Sequence, residues 1–346
     1  MPFSHVPVLP AEVLEVLRPG PGETYVDCTA GLGGHASQVA SVMNALPSQP
    51  GTAGGARVVL CDLDAGNLSR ASGAVAHAAD GKLDVVTLQG NFAQVPWALE
   101  SRGLAADMLL ADFGFASTQV DDASRGFSFQ REGPLDMRMD PSAKVDAATL
   151  VASLSERELA SIFEEFGEER NARRIAKKLV QERARGPILT TTHLAELIRG
   201  VVGRQASGGI DPATRTFQAL RIAVNDEIGS INALMAAVDA EARRVLAGQS
   251  GQSGHGRWLR PGARLAFITF HSLEDRPVKR TLAGLIQAGA EDLTRGVVTA
   301  SEQEVQANPR SRSAKLRAVR LPLPKANEAG DEAEADEGRP ARRASR

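Results

Sequence analysis

The stretch Tyr25-Val26-Asp27-Cys28-Thr29-Ala30-Gly31-Leu32-Gly33-Gly34-His35 carries a short apolar strand into a turn with three glycines, and the helical spacing of Ala36, Val39, Ala40 and Met43 follows directly. Strand, glycine turn and helix in that order make a nucleotide-sized site at the end of a parallel strand. Glycine admits positive φ and close approach, and the first N–H groups of a helix have no partner within it. The turn is not a dinucleotide fingerprint, because Ala36 stands where the last glycine of Gly-x-Gly-x-x-Gly belongs. It is not a phosphate loop either, since no Gly-Lys-Ser/Thr follows. The next strand, Arg57 to Asp62, ends in a carboxylate suited to both hydroxyls of a ribose. The pattern suits S-adenosylmethionine at least as well as NAD.

Working outward, Leu83 to Leu88 and the nearly continuous apolar run Asp107 to Asp112 read as a third and a fourth, central strand. In open α/β sheets ligands gather beyond the carboxyl ends of the strands, so Asp27, Asp62 and Asp112 are expected around one crevice. Phe92, just past the third strand, is placed either to lie along an adenine ring or to fill the core. Upstream, Ala11 to Leu17 has the spacing of a short amphipathic helix stopped by Pro19-Gly20-Pro21-Gly22, and Pro47 to Ala56 reads as a surface loop.

After the fourth strand the alternation stops. Helical patterns over Leu150 to Phe166, Arg170 to Arg183 and His193 to Val202, with no strand between them, predict an all-helical insertion. Helix resumes through Arg215 to Leu246, Gly248 to Gly256 is a flexible loop, and Arg264 to Phe270 returns as a fifth strand carrying His271 to the crevice. Lys315 to Leu321 is expected as a last edge strand. The tail from Ala326, acidic and then basic with few apolar residues, is expected to be disordered. The division that follows is a discontinuous α/β domain (1–123 and 221–322), a helical insertion (124–220) and a disordered tail (326–346).

The 346 residues, 42% of them hydrophobic, carry a formal net charge of −2. This describes a soluble globular protein. No long apolar run and no basic segment followed by a hydrophobic one occurs, so neither a membrane span nor a signal peptide is indicated and a cytoplasmic protein is expected. Cys28 and Cys61, near the ends of the first two strands, fit small buried residues better than a disulfide or a metal site, and no metal is expected. The near-neutral average hides basic runs. Arg173, Arg174, Lys177, Lys178 and Arg183 stand with one acid, Glu182, and Arg310, Arg312, Lys315 and Arg317 with none. Such runs either neutralise phosphates or form a solvated helix face.

Taken together, His5-Val6-Pro7-Val8-Leu9, Asp27-x-Thr29-x-Gly31-x-Gly33-Gly34-His35, Arg125-Gly126-Phe127-Ser128-Phe129, Gly133-Pro134-Leu135-Asp136-Met137-Arg138-Met139-Asp140, Gly167-Glu168-Glu169-Arg170, Ala213 to Arg221, Phe270-His271-Ser272-Leu273-Glu274-Asp275-Arg276 and Asn308 to Arg317 resemble the bacterial 16S ribosomal RNA cytosine-N4 methyltransferases. The resemblance implies a class I, Rossmann-like methyltransferase sheet with a helical substrate-recognition insertion. It implies S-adenosylmethionine held by Gly33, Gly34, His35, Asp62, Phe92, Asp112 and Gln119. It implies as target the N4 amine of a cytidine in the decoding centre of the small ribosomal subunit. RNA contacts are expected from Arg173, Arg174, Lys177, Lys178, Arg215, Arg276, Arg310, Arg312 and Lys315.

One departure stands out: Phe113-Gly114-Phe115-Ala116-Ser117-Thr118-Gln119 replaces the usual Leu-Gly-Val-Ser-Ser-Pro-Gln. Asp112 is expected to orient the target amine or to hold the methionine end of the cofactor, and Phe113 or Phe115 to stack on a flipped base. His271, Ser272, Glu274 and Arg276 are expected to position the substrate. A nicotinamide dehydrogenase and a non-catalytic ribosome-assembly factor are the alternatives.

Overall fold

A computed structural model describes residues 6–46, 55–114, 122–203, 211–248 and 257–323. His5, Phe115 to Gln119, most of the two glycine-containing loops (residues 47–54 and 249–256) and the tail from 326 lie outside them.

Five parallel strands form the centre of the sheet: β1 (Thr24–Asp27), β2 (Arg57–Asp62), β3 (Asp84–Gln89), β4 (Ala106–Asp112) and β5 (Leu259–Thr269). With β6 (Glu291–Asp292), β7 (Val298–Thr299) and β8 (Lys315–Arg320), the order is β3-β2-β1-β4-β5-β8-β6, with β7 also on β8. The chain moves outward from β1 to β3 and then returns to the other side of β1 as β4. This reversal opens a crevice at the carboxyl ends of β1 and β4.

The strands are buried on both faces because their side chains alternate between two cores. Tyr25, Met108, Leu110, Ala266 and Ile268 pack with α1 (Pro10–Leu17), α2 (Gly34–Ala45) and α3 (Ala65–Ala78). Val26, Leu109, Ala111, Leu265 and Phe267 pack on the opposite face. Cys28 and Cys61 are buried and unbridged. The second face also takes α4 (Val95–Glu100) and two later helices described below.

Five helices, α5 (Ala147–Ser153), α6 (Glu156–Gly167), α7 (Ala172–Arg183), α8 (Thr191–Val202) and α9 (Ala213–Asn225), enclose a separate core of Leu135, Phe163, Ile175, Leu179, Leu194, Ile198, Phe217 and Leu220. The only pairing of β type there among the described residues is the single bridge Pro134 to Thr190.

Three sequence expectations change. The pattern from Leu150 to Phe166 is two helices, because Ser155 and Glu158 form a capping box that starts α6 afresh. The run Arg215 to Leu246 is also two: Asp226 takes φ 46° and turns the chain from α9 into α10 (Glu227–Leu246). Helix α9 packs in the helical lobe and α10 on the sheet, so continuous helical spacing conceals a change of core. Finally, β8 is not an edge strand. It pairs with β5 on one side and with β6 and β7 on the other, and those two-residue strands have too little pattern to be read in advance.

Candidate active site

The three carboxylates at the strand ends do converge. Asp27, Asp62 and Asp112 line one cavity of about 480 Å³, within the range of roughly 300–1,000 Å³ usual for small-molecule sites. Asp27 is buried; Tyr25 Oη donates to it at 3.0 Å and the Thr29 N–H at 3.1 Å. Burial raises its pKa from 3.8 to about 6 against the pull of these two bonds. Asp62 accepts the Gly31 N–H on one oxygen and the Asp64 N–H on the other, both at 2.8 Å, and burial again pushes its pKa up. Thr29 Oγ1 accepts the Asp112 N–H at 2.7 Å, tying the turn after β1 to the end of β4.

The Asp112 carboxyl is the least satisfied of the three. Oδ2 lies 3.8 Å from His35 Nε2, and Oδ1 is buried with no hydrogen-bond partner. Burial, followed by the charges of Asp27 and Glu274, drives its pKa well above the carboxylate range. A buried acceptor left open in a cavity is costly unless a ligand donor completes it.

Gly34, His35 and Phe92 line the cavity as expected. Gly33 does not. At φ 83° it caps α2, and a Cβ there would fall 2.8 Å from Ala71 Cα. Its work is to let α2 lie against α3. Phe113 departs from the base-stacking expectation. It is 1% exposed, with its ring 5.3 Å from Phe92 and 6.3 Å from Phe267, so it packs into the core beneath the cavity that it also lines. Phe115 and Gln119 fall outside the described residues.

The far wall comes from the helical lobe, the end of β5 and the segment before β8, through Met139, Arg221, Phe270, His271, Glu274 and Arg310. Glu274 is buried in the first turn of α11 (Ser272–Gln287) and accepts the N–H groups of Phe270 at 2.7 Å and His271 at 3.3 Å. Its other oxygen lies 2.9 Å from His271 Nε2. Burial raises the Glu274 pKa, but the His271 contact and the backbone donors outweigh it and hold the carboxyl below its ordinary value. Glu274 therefore builds the wall, and Ser272 Oγ is engaged with Glu168 at 3.2 Å. Arg221 is held in a two-pronged bond to buried Glu227 at 2.8 and 2.9 Å. Met139 and Arg221 stand in quoted motifs, yet nothing in their local spacing marked them as cavity residues.

The basic residues separate into two kinds. Arg173 pairs with Glu164 at 3.4 Å, Arg174 donates to Asn171 and to the Val201 carbonyl, and Lys178 pairs with Glu182 at 2.9 Å. Arg215 donates to the Glu168 carbonyl at 3.2 Å, and Lys315 lies 3.9 Å from Asp275. Lys177, Arg276 and Arg312 are exposed, and Arg310 reaches the cavity. No cluster of three metal-ligating side chains occurs among the described residues.

The family model of the MraW methylase family matches residues 2–321. The chain belongs to this family. A protein of Syntrophotalea carbinolica named ribosomal RNA small subunit methyltransferase H is 44% identical over 336 residues, covering 92% of this chain and 98% of its own. One of the same name from Symbiobacterium thermophilum is 42% identical, covering 92% and 97%. The solved structure of TrmN from Thermus thermophilus aligns with 90% of this chain and 48% of its own at 12% identity and a TM-score of 0.36.

The sheet is that of a Rossmann-like methyltransferase, and its methyl donor is S-adenosylmethionine. The residues fit such a cation. The site offers acids and an open carboxylate oxygen, while two N–H groups of the turn are occupied, Gly31 on Asp62 and Gly33 on the Ala30 carbonyl at 2.7 Å. The family match excludes the dehydrogenase alternative.

Proposed function

We propose that this methyltransferase modifies the N4 exocyclic amine of a decoding-centre cytidine in the 16S rRNA of the small ribosomal subunit. The names carried by its relatives support small-subunit rRNA as the substrate. The motifs shared with the cytosine-N4 enzymes support the atom. The observation that carries the chemistry is the open Asp112 Oδ1 at the end of β4.

The bound cofactor supplies an electrophilic methyl on a sulfonium. The cytosine amine is a weak nucleophile because its lone pair is delocalised into the ring, so the chain must hold it in line and accept a hydrogen bond from it. Asp112 Oδ1 is the acceptor available to an amine entering from the lobe side, and the same atom suits the α-ammonium of the cofactor. Asp62, fixed by two backbone donors, keeps lone pairs for the ribose hydroxyls, and Phe92 offers a wall for the adenine. The helical lobe (residues 124–220 and the rest of α9) is the substrate-recognition part, bringing Met139 and Arg221 against the cofactor half of the cavity. The reaction belongs to the cytoplasm, where small subunits are assembled, and no described helix is long and apolar enough to cross a membrane.

The test is mass-spectrometric mapping of N4-methylcytidine in small subunits from cells with and without the gene, joined to transfer of labelled methyl to purified immature subunits. Loss of one modified cytidine without the gene is the expected result; an unchanged map sinks the proposal. Asp112→Asn divides its two roles. Slower single turnover at unchanged S-adenosylhomocysteine affinity marks contact with the target amine, and weakened affinity marks the methionine end.

A further inference from the structure

Arg276, Lys279 and Arg280 lie three and four residues apart on the exposed side of α11, so they form one row on the helix surface. The other side of the helix buries Glu274, Pro277, Val278, Leu282 and Leu285. The row begins one turn beyond Ser272, whose hydroxyl meets Glu168 of the helical lobe, and His271 just before it lines the cavity. It therefore leads away from the mouth of the active site.

These charges differ from Arg173 and Lys178 of α7 in lacking a direct ion pair, although Lys279 lies in the field of Asp275 one turn back. Among the described residues, none of the three makes a hydrogen bond or an ion pair within 4.0 Å. The neighbouring acid, Asp275, is already bound by Arg317 at 2.8 and 3.2 Å and approached by Lys315 at 3.9 Å. Through Asp275 the row meets β8, and the exposed Arg312 stands just before that strand. On α7, by contrast, Arg173 and Lys178 face Glu164 and Glu182.

We propose that Arg276, Lys279 and Arg280 form the track along which the RNA backbone leaves the active site, and that the carboxylate-paired Arg173 and Lys178 of the more conspicuous basic run of α7 contribute less. The inference rests on the RNA substrate proposed above. Surface cations in a row without a direct ion pair bind phosphates and release counterions, whereas cations already paired with carboxylates must first give up that pairing.

The test measures binding of a fluorescent single-stranded RNA of arbitrary sequence across a salt series, for the wild type, for Arg276→Ala/Lys279→Ala/Arg280→Ala and for Arg173→Ala/Lys178→Ala, the two α7 cations paired with carboxylates. At about 0.7 in slope per phosphate contact, the α11 variant is expected to flatten the log–log salt dependence by about 2, and the α7 variant by less than about 1. An α11 change below about 1, or an α7 change above about 1, overturns the inference. S-adenosylhomocysteine affinity, expected to be unchanged in both, reports that the cavity is intact. Because the readout needs no turnover, a wild type that binds RNA through this row but methylates no cytidine would defeat the proposed reaction and leave the track standing.

Discussion

Replacing Gly33 by alanine tests whether the glycine turn is built for helix packing or for the ligand. Gly33 sits at φ 83°, and an added Cβ would lie 2.8 Å from Ala71 Cα, 3.1 Å from Ala71 O and 3.2 Å from Ala71 Cβ. A left-handed conformation costs an ordinary L-residue roughly 1–2 kcal/mol, and forcing one extra carbon into a packed contact about 1–3 kcal/mol more. The sum, about 2–5 kcal/mol, lowers the melting temperature by roughly 4–10 °C at about 2 °C per kcal/mol. Its neighbours set the scale. Gly31 has φ 52° but no atom nearer than 3.9 Å, so alanine there pays only the backbone term; Gly34 has an ordinary helical φ with Pro7 Cβ 3.3 Å away, and alanine there is nearly neutral. Because the closest atoms are backbone, adding Ala71→Gly to Gly33→Ala recovers little. Scanning calorimetry of the three variants is the assay. A Gly33→Ala protein melting within a degree of wild type, or one rescued by Ala71→Gly, would falsify the packing account.

Asp62→Asn replaces one carboxylate oxygen by an NH₂ and leaves the remaining oxygen to the backbone N–H groups, so a ribose hydroxyl loses its acceptor on binding, at about 1–3 kcal/mol. Calorimetry should find S-adenosylhomocysteine affinity reduced by roughly 5- to 150-fold; an unchanged Kd refutes the role. Arg125 joins Asp64 at 3.0 Å to the carbonyls of Arg138 and Met139 at 3.1 and 3.0 Å, so Arg125→Ala should speed amide exchange through residues 136–140, and unaltered protection would count against that brace. Asp27 has a folded pKa of about 6 against an ordinary 3.8, so the native state holds the proton more tightly and its contribution is complete below pH 3.8 and lost as pH rises through about 6, at most about 3 kcal/mol. Between about pH 4 and pH 6 the wild type, without ligand, should lose melting temperature relative to Asp27→Asn; a constant gap between the two sinks this assignment.

Local patterns exposed the strands and the strand-end acids because each is a property of a few adjacent residues. Burial on both faces made β4 continuously apolar, and the carboxyl end of a parallel strand places its last acid in the crevice. The second wall was not legible in the same way. Met139 reaches the cavity only because Asn225, on α9, accepts its N–H at 2.7 Å, and Arg221 only because Glu227 beyond the turn at Asp226 holds it. The pairing within the basic run of α7 was hidden for a related reason: Glu164, which faces Arg173, lies on another helix, and a count along one segment cannot see it. Phe113 was ambiguous because a phenylalanine after a strand can turn to the core or to the ligand, and here it packs on Phe92 and Phe267 while still lining the cavity.

The charge pattern explains why this glycine turn takes a sulfonium nucleoside. Burial raises the pKa of Asp27, Asp62 and Asp112, and they load one another: Asp62 raises Asp27, and Asp27 raises Asp112. Bringing a pyrophosphate into such a site would add negative charge to buried carboxyls, with the N–H groups of Gly31 and Gly33 already committed. A ligand carrying a sulfonium and an ammonium reverses every one of these terms. It favours the ionised carboxyls and offers a donor to Asp112 Oδ1, so the groups that burden the empty fold are those that select its cofactor.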